Sequence, residues 1–528
     1  MKRFQMKQNT DNGARNLARA VRAAYEKGQT DYTMYPLVRI GRDGFPLGLI
    51  QDGDSVIFCC RRGEREIGLT EMFTDPHFHA VPRLWLKDLQ FVTLTQYHEK
   101  FTDIPVAFRP EKVIMPLAEV LSRHQKTQLH CAESEKYAHV TYFFNGGRNQ
   151  TYPGEEGLMV PSPKGISYEN KPEMSLPELV NQLIPKLGKH DFVLVNFANG
   201  DIIGHTQSKK AKIAAAECVS RQLERLIKQA QEKAYLVMIT ADHGNIEVIT
   251  SKEGKPDVAH TRNKVPFLLL DPEKKETIKL LPEGSLCDVA PTVLHAMGIP
   301  QPAEMTGISL AINHDFGGNR KVMLVVLDGW GLGAQDESNA IYLADTPYWD
   351  SLMRQCPISS LNASDGFVGL EDGKAGNSEA GHLNLGAGRI VDQDDRRLGA
   401  AIKNNTFREN ETLRTAINQT AHKGASLHLL SFLTYRSSHG SIEYALEILK
   451  MTPHLPRVFL HIIFDGRSTK PGSAPELLED LDSQLQKIGV GTVVSGVGRG
   501  LVLDRDKNYE KIKLGYDAMV LGTGEQYY

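Results

Sequence analysis

The chain has 528 residues, of which 41% are hydrophobic and 24% charged, and its formal net charge is -3. This length is too great for one compact core, so we expect two or more domains. The balanced charge gives no indication of binding to nucleic acid or an anionic membrane, and no run of about 18 apolar residues predicts a membrane span. The six cysteines lack the spacing of a disulfide framework or a zinc ribbon, so we expect a cytoplasmic protein.

Short β-branched runs alternate with longer amphipathic stretches along the chain, which predicts an α/β fold with a mainly parallel sheet. The clearest helix is predicted at about 211–230, where apolar residues recur at steps of three and four. The polar segment 313–321 contains two glycines and indicates a domain boundary or a surface crossing. The predicted strands are, in chain order, 55–60, 192–197, 235–240, 322–327, 428–432, 458–464 and 491–494.

Three predicted strands lead into residues of types that bind metals. These are Asp201 and His205 after 192–197, Asp242 and His243 after 235–240, and Asp328 after 322–327. Ligands of open α/β sheets bind outside the carboxyl ends of the strands. Asp201 and His205 share one face if their segment is helical, so they can share a metal. Asp242 and His243 are adjacent and diverge, so they can serve two metals, and His260 supplies another imidazole.

Each of these pieces also has an ordinary structural explanation. A lone Asp-His pair usually lies on the surface or in a satisfied polar pair, and a lone Asp at a strand end is often a helix N-cap. The recurrence of the pattern at three strand ends favours a metal site. A set of Asp and His side chains without thiolates suits Mn²⁺ or Zn²⁺.

A nucleophile is indicated by Ser378, which lies in a glycine-rich segment, and the following segment 383–389 is glycine-rich as well. Turns of this composition can present a hydroxyl and backbone N–H groups to a phosphate. The ordinary alternative is a loop with a helix-capping serine. Next to two divalent metals about 3.5–4 Å apart, the same serine becomes a candidate alkoxide.

Arginines that follow predicted strands are a further signal. Guanidinium groups bind phosphate and carboxylate groups bidentately. Any one of these arginines alone could be a solvated surface charge, but together they indicate an anion pocket. They are Arg62, Arg65, Arg467, Arg499 and Arg505.

Nearly the whole chain resembles cofactor-independent phosphoglycerate mutases of the alkaline phosphatase superfamily, but in a rotated order. The motifs VVLDGWG and AGNSEAGHLNLGAGR, in 322–389, resemble the beginning of that family. NFANGDIIGHT, TADHGN and AHTRN, in 136–312, resemble its end, and 51–73 and 458–510 resemble its middle. The order predicts a circular permutation in which 313–321 joins the usual end to the usual start. Nine residues span at most about 30 Å, so the family's termini must lie that close.

The resemblance implies two α/β domains. Residues 110–394 would form an alkaline-phosphatase-like doubly wound sheet with helices on both faces, carrying the metals and a phosphoserine, and would be contiguous through 313–321. Residues 1–109 and 395–528 together would form a smaller phosphoglycerate-binding domain. The implied enzyme is a monomeric isomerase that interconverts 3-phosphoglycerate and 2-phosphoglycerate in glycolysis with two Mn²⁺ ions and without 2,3-bisphosphoglycerate.

The resemblance also implies roles for single residues. Ser378 would attack the substrate phosphate, His439 would move a proton between the two hydroxyls, and Lys136 would neutralise phosphate charge. The implied ligands are Asp201, His205 and His260 for one metal, and Asp328, Ser378, Asp242 and His243 for the other. The implied phosphate and carboxylate clamps are Arg62, Arg65, Arg467, Arg499 and Arg505.

Two departures from the family pattern leave the substrate open. Ser468 stands where the family usually has an acidic residue, and 433–438 differs from the usual run before His439. These departures motivate an alternative, a phosphatase or another phosphomutase on the same metal core. A non-catalytic, metal-stabilised binding protein is a third hypothesis, which the complete ligand set disfavours.

Overall fold

The computed structural model describes residues 11–63, 65–251, 254–273, 278–435, 439–504 and 506–528. The chain forms two compact units, Glu111–Arg396 and Met1–Pro110 with Arg397–Tyr528. We call them the continuous unit and the split unit. The strands are β1 (Leu37–Arg39), β2 (Ser55–Cys59), β3 (Gln90–Thr93), β4 (Gln128–Glu133), β5 (Glu155–Val160), β6 (Phe192–Phe197), β7 (Tyr235–Thr240), β8 (Val265–Leu270), β9 (Glu283–Ser285), β10 (Lys321–Leu327), β11 (Ile358–Asn362), β12 (Leu427–Phe432), β13 (Val458–Phe464), β14 (Thr492–Gly498) and β15 (Glu525–Tyr527).

The helices cover the faces of the two sheets. The α-helices are α1 (Ala14–Glu26), α2 (Ile67–Thr74), α3 (Leu117–Arg123), α4 (Leu176–Leu183), α5 (Asn199–Gly204), α6 (Lys209–Glu232), α7 (Val289–Met297), α8 (Ala340–Leu343), α9 (Pro347–Gln355), α10 (Ser378–Ala387), α11 (Asp394–Lys403), α12 (Glu411–Lys423), α13 (Ile442–Lys450), α14 (Ala474–Ile488), α15 (Arg499–Val502) and α16 (Tyr509–Val520). A π-helical turn spans His139–Phe143, and 3₁₀ turns span Tyr168–Asn170, Ile184–Lys186, Leu286–Asp288, Asp365–Val368 and Phe407–Glu409.

The sheet of the continuous unit has the strand order β5-β4-β6-β10-β7-β8-β11-β9. The strands from β5 to β7 run parallel, and β8 joins β7 antiparallel. The central strand β10 is buried except at its first residue, because its apolar run is covered on both faces. The predicted strands at 192–197 and 235–240 are confirmed as β6 and β7, and β10 begins one residue before its predicted start.

The longest helix of the continuous unit, α6, contains the whole of the predicted helix at 211–230. It begins where the side chain of Ser208 accepts a hydrogen bond from the backbone N–H of Ala211, which satisfies one free donor of the first turn. Its apolar stripe is buried and includes Val219, Leu223 and Leu226. The period of three and four residues in the sequence therefore corresponds to the buried face.

The segment 313–321 does not separate the two units, because both of its ends lie in the continuous unit. Phe316 is buried beside the ring of His295, with ring centroids 5.1 Å apart. Arg320 is buried and forms a bidentate pair with Asp271, at 2.6 and 3.0 Å. Of the two alternatives that the sequence left open, the structure matches the surface crossing.

The sheet of the split unit has the strand order β15-β1-β14-β13-β12-β2-β3, in which the strands from β14 to β3 run parallel. The predicted strand at 491–494 was too short, since β14 continues to Gly498. A Cβ at Gly496 would lie 2.7 Å from the ring of Phe464, and one at Gly498 would lie 2.5 Å from Tyr32 O. These glycines allow close packing and do not end the strand.

The predicted α/β class with two domains is confirmed, since each unit is built on a mainly parallel sheet. Across the described ranges, every helix is too short or too polar to cross a membrane.

Candidate metal centre and active site

Three ligand-bearing loops meet at one edge of the sheet of the continuous unit. Strands β6, β10 and β7 are parallel neighbours, so their carboxyl ends lie side by side. Asp201, Asp328 and Asp242 follow these strands. A Cβ at Gly200 would collide with the carbonyl oxygen of Asp328, so this glycine allows the first two loops to touch.

Asp201, His205 and His260 form one compact group whose ligand atoms lie within 4.8 Å of one another. Asp201 Oδ1 lies 3.2 Å from His205 Nε2 and 3.0 Å from His260 Nε2. Asp201 lies in α5 and His205 caps its carboxyl end, so the spacing of four residues does place both on one face. His205 Nδ1 lies 2.8 Å from the carbonyl oxygen of Val258, and His260 Nδ1 lies 2.8 Å from that of Gly376.

Asp242, His243, Asp328 and Ser378 form the adjoining part of the cluster. His243 Nε2 lies 3.0 Å from Ser378 Oγ and 3.6 Å from both Asp242 Oδ2 and Asp328 Oδ1. The Ser378 hydroxyl also lies 3.2 Å from Asp328 Oδ1. The four residues that the resemblance assigned to the second metal are therefore brought together, and all four are buried.

Ser378 is the first residue of α10, where the Asn377 side chain caps the helix by accepting a hydrogen bond from Ala380 N at 2.9 Å. The sequence-based interpretation of 383–389 as a glycine-rich turn was wrong, because α10 continues through Ala387. A Cβ at Gly386 would collide with the backbone of Phe144. Gly386 thus allows close packing of the helix, and Gly388 ends the helix in the left-handed conformation that glycine favours.

Lys136 lies at the centre of the cluster. Its Nζ donates hydrogen bonds to Asp201 Oδ2 at 2.6 Å, Asp328 Oδ1 at 2.7 Å and Ser378 Oγ at 2.6 Å. Burial alone would lower the pKa of Lys136, but the nearby carboxylates outweigh burial and hold it above its usual value. Lys136 is therefore charged and neutralises part of the negative cluster.

The acidic residues respond differently to their surroundings. Burial would raise the pKa of Asp201 and of Asp242, but Lys136 for the first and His243 for the second hold both well below the usual range. Burial raises the pKa of Asp328, and the charge of Asp242 adds to this. Burial opposes a charge on His260, but its hydrogen bond to Asp201 raises its pKa.

These residues fit divalent cations. Asp201, Asp242 and Asp328 are buried carboxylates. Lys136 forms ion pairs with Asp201 and Asp328, so three carboxylates share one lysine and negative charge is in excess. Asp242 Oδ2 is buried, and the nearby His382 Nδ1, at 3.2 Å, is hydrogen-bonded to Ser378 O, so this oxygen accepts no hydrogen bond of good geometry from the described residues. Because the Nδ1 atoms of His205 and His260 face carbonyl oxygens, their Nε2 lone pairs face the same point beside Asp201.

Three further residues of the centre were missed from the sequence. His382 Nδ1 lies 2.9 Å from Ser378 O and 3.2 Å from Asp242 Oδ2, and its Nε2 lies 3.0 Å from Asn196 Nδ2. His382 lies four residues after Ser378. This spacing places two side chains on one face of a helix, but the segment was interpreted as a turn. Glu247 is fully buried and accepts a hydrogen bond from Gly331 N. In the sequence, a charged residue among apolar neighbours was the feature that could have indicated its role.

The basic residues predicted to bind substrate, apart from Lys136, lie in the split unit. Strands β2, β12, β13 and β14 are parallel, so the residues that follow them lie at one sheet edge. Arg65 is buried, and its Nη1 donates a 3.4 Å hydrogen bond to Leu503 O. Arg499 is buried and forms an ion pair with Asp465. Arg467 is exposed, and Arg62 is partly buried.

Arg61 and Arg62 are adjacent, and the structure shows what Arg61 contacts. Arg61 is buried and donates a hydrogen bond to Tyr444 OH at 2.9 Å, which ties it to the interior. The role of Arg62 in anion binding stays a prediction. Arg505 lies outside the described residues. So do residues 436–438, which belong to the segment 433–438 that departs from the family pattern.

His439 follows β12 and is buried beside a carboxylate. Its Nδ1 lies 3.2 Å from Glu66 Oε1, and Glu66 is fully buried. The other carboxylate oxygen of Glu66 accepts a 3.1 Å hydrogen bond from Arg65 N. Glu66 thus links His439 to the arginine-bearing segment that follows β2. Ser468 N donates a 2.6 Å hydrogen bond to Asp465 Oδ2, so Ser468 closes the turn after β13.

Comparisons with known proteins agree with this chemistry. A family model described as the Metalloenzyme superfamily matches residues 6–301, more than half of the chain. A second model, described as the BPG-independent PGAM N-terminus, matches residues 398–528.

Relatives are similar over part of their length. A 2,3-bisphosphoglycerate-independent phosphoglycerate mutase of Moorella thermoacetica is 46% identical over 294 residues, which cover 56% of this chain and 56% of that protein. One from Thermomicrobium roseum is 45% identical over 306 residues, covering 57% and 58%. The chain thus spans little more than half of the curated relatives it matches. A solved structure of Leishmania mexicana phosphoglycerate mutase at low cobalt concentration has 27% identity and a TM-score of 0.42, covering 52% of this chain and 53% of that one.

The extent of the first family match decides the classification, and the buried Asp and His groups are what a metal-dependent family requires. The chain belongs to the Metalloenzyme superfamily.

Proposed function

We propose that this chain interconverts 3-phosphoglycerate and 2-phosphoglycerate through a phosphoserine on Ser378, next to two divalent metal ions. The observation that carries the proposal is the position of Ser378 Oγ, within 3.0 Å of His243 Nε2 and 2.6 Å of Lys136 Nζ. The similarity to the phosphoglycerate mutases of Moorella thermoacetica and Thermomicrobium roseum supports the choice of substrate.

Two groups of residues would hold the metals. Asp201, His205 and His260 would bind one ion. Asp328, Ser378, Asp242 and His243 would bind the other. Bound divalent ions, for which we propose Mn²⁺, would stabilise the charge that develops on the attacking and leaving oxygens.

The residues of the chain would perform the transfer in two balanced steps. Ser378 Oγ acts as an alkoxide, which the second step regenerates; it forms a bond to phosphorus while the bond to the 3-oxygen of glycerate breaks, and that oxygen takes its proton from His439. In the second step the 2-hydroxyl attacks the phosphoserine, loses its proton, and the bond between Ser378 and phosphorus breaks. Lys136 would neutralise phosphate charge, and His439 would carry the proton between the two hydroxyls.

The basic residues of the split unit would recognise phosphate and carboxylate groups. Their position at the carboxyl ends of parallel strands supports this role, since anions bind at such edges. The proposed binding residues are Arg62, Arg65, Arg467, Arg499 and Arg505. Because Arg499 is already paired with Asp465, we propose that it orients its neighbours as much as it binds substrate.

We further propose that the order of the chain is circularly permuted. The model described as an N-terminus matches residues 398–528, after the superfamily match at 6–301. The alignments cover little more than half of this chain and of each relative. Partial coverage of this kind is what two sequence segments in exchanged order would give. In this proposal 110–394 is the metal and phosphoserine domain, and 1–109 with 395–528 is the phosphoglycerate domain. A monomeric, cytoplasmic enzyme remains part of the proposal.

Phosphorus NMR tests the proposal directly. The metal-depleted protein is reconstituted with Mn²⁺ and given 3-phosphoglycerate without 2,3-bisphosphoglycerate. We expect 2-phosphoglycerate to appear, and Ser378→Ala to abolish it while the surface control Ser483→Ala on α14 does not. Turnover by Ser378→Ala would contradict the serine mechanism. Release of inorganic phosphate in place of 2-phosphoglycerate would favour the phosphatase alternative.

A further inference from the structure

Glu247 is a fully buried carboxylate that the proposed reaction does not use. Among the described residues it forms no ion pair with Lys or Arg, and it belongs to none of the Asp and His groups that could hold a metal. It lies five residues after Asp242, in the loop that follows β7. A buried carboxylate without a direct ion pair must be stabilised by hydrogen bonds.

Four donors supply that stabilisation. Glu247 Oε2 accepts hydrogen bonds from Asn245 N at 2.7 Å and from Gly331 N at 3.0 Å. Oε1 accepts from Thr261 Oγ1 and from Asn263 Nδ2, the latter at 3.0 Å. Each oxygen thus has two donors, which is what the four lone-pair sites of an ionised carboxylate can accept.

The four donors belong to three loops that carry metal ligands. Asn245 lies two residues after His243, and Gly331 lies three residues after Asp328. Thr261 and Asn263 follow His260. Glu247 therefore joins three loops that carry ligands, those of Asp242, of Asp328 and of His260, and the loop of Asp201 is not among them. It contacts no ligand side chain through a described hydrogen bond.

The surrounding backbone leaves room for this carboxylate. A Cβ at Gly331 would collide with the carboxylate of Glu247, and one at Gly333 would lie 2.9 Å from its Cβ. Ile246 N also donates a 3.0 Å hydrogen bond to Gly329 O, so the same two loops are joined beside the carboxylate.

We infer that Glu247 is a positioning residue that sets the ligand geometry of both metal groups. The inference rests on the proposed metal-dependent function and deepens it. Loops are more mobile than the strands they follow, so ligands on several loops need further contacts that hold the loops in place. A glutamine at this position keeps one oxygen but turns an NH₂ group towards two donors, so at least one loop is released.

The test measures metal affinity and not activity alone. Purified wild type, Glu247→Gln and a control variant are stripped with a chelator and titrated with Mn²⁺ against a metal-binding dye. The control is Glu133→Gln. Glu133 is another buried carboxylate of the continuous unit, and its side chain accepts a hydrogen bond from Ser175 N, which lies outside the ligand-bearing loops. We expect two ions per wild-type chain, about 10- to 100-fold weaker binding by Glu247→Gln, and unchanged binding by the control. Circular dichroism checks that each variant is folded.

Each outcome decides a different question. A folded Glu247→Gln protein that binds Mn²⁺ as tightly as wild type overturns the role of Glu247 and leaves the proposed function standing. Wild type that binds no Mn²⁺ contradicts the proposed function itself. If Glu247→Gln does not fold, Thr261→Val removes only one of the four donors with little change of shape. That variant should bind Mn²⁺ more weakly than wild type, and unchanged affinity would overturn the inference.

Discussion

The Nε2 atoms of His205 and His260 lie 3.0 Å apart. Both rings direct Nδ1 to a backbone carbonyl oxygen, so in their neutral forms the two Nε2 lone pairs face each other. Two lone pairs this close repel unless a cation or a proton lies between them. Asp201 Oδ1 lies 3.2 Å from His205 Nε2 and 3.0 Å from His260 Nε2, so a carboxylate oxygen adds negative charge at the same point. We therefore expect a metal ion between these rings.

Removal of one ring should remove one metal. We predict that His260→Ala lowers the metal content from two ions per chain to one after dialysis, because Asp201 and His205 alone do not complete a site. Elemental analysis of the dialysed protein measures this. The control His422→Ala changes an exposed histidine of α12 and should keep both ions. Two tightly held ions in His260→Ala would contradict the assignment.

Lys136 should matter most when metal is absent. We predict that Lys136→Met lowers the stability of the chelator-treated protein by about 3–5 kcal/mol, since the variant leaves Asp201 and Asp328 buried without their cation. Mn²⁺ should restore most of this loss, because added cations compensate the same carboxylates. Denaturant unfolding with chelator and with Mn²⁺ measures both values. An equal loss in the two conditions would show that the lysine acts through packing alone.

Glu66 should affect catalysis through His439. Its carboxylate lies 3.2 Å from His439 Nδ1, so it holds the ring with Nε2 directed away. We predict that Glu66→Gln lowers kcat on the order of 10- to 100-fold, part of the contribution of general acid–base catalysis, with little change in KM. Steady-state kinetics measure this, and nitrogen-15 NMR reports the His439 tautomer. Glu26→Gln, an exposed change on α1, is the control, and an unchanged kcat would refute the link to His439.

The raised pKa of Glu133 leads us to predict that stability depends on pH. Burial raises its pKa from the ordinary value of 4.5 to about 7, against the hydrogen bonds from Ser162 and Ser175 that lower it. The folded state therefore binds more protons than the unfolded state between these values, so stability falls as pH rises from 4.5 to about 7.

Glu133→Gln should remove that decline. At pH near 5 the variant and wild type should be about equally stable, and near pH 8 the variant should be more stable by about 2–4 kcal/mol. Denaturant unfolding across this pH range, with chelator present throughout, measures the difference. Glu232→Gln, on the exposed surface of α6, should follow the wild-type curve. A wild-type stability that rises over the interval would contradict the raised pKa.

Regular elements of the fold were accessible from sequence because their signals are local. The boundaries of β6 and β7 agree with their apolar runs, and α6 follows its three- and four-residue period. The misinterpreted segments, β14 and the end of α10, contain glycines. Their glycines pack against Phe464 and Phe144, which lie far away in the sequence, so no local pattern could distinguish them from turns.

For the candidate site too, some residues were indicated by the sequence, and other contacts were visible only in the structure. Sequence pattern indicated Asp201, Asp242 and Asp328 at strand ends, because a strand followed by a polar residue is visible locally. The contact of Lys136 with all of Asp201, Asp328 and Ser378 needs a specific strand order and could not be derived from spacing. The roles proposed for the arginines of the split unit remain predictions.

By itself, the sequence determined the α/β class, the strands and helices with regular periodicity, and the residue types available for metal and phosphate chemistry. These follow from local backbone preference and side-chain chemistry. Only the tertiary structure decided that β10 lies between β6 and β7, and therefore that their three carboxylates converge on one lysine and one serine. It also decided that Glu247 holds three loops together. Convergence of distant residues depends on the order of the strands, which no short stretch of sequence encodes.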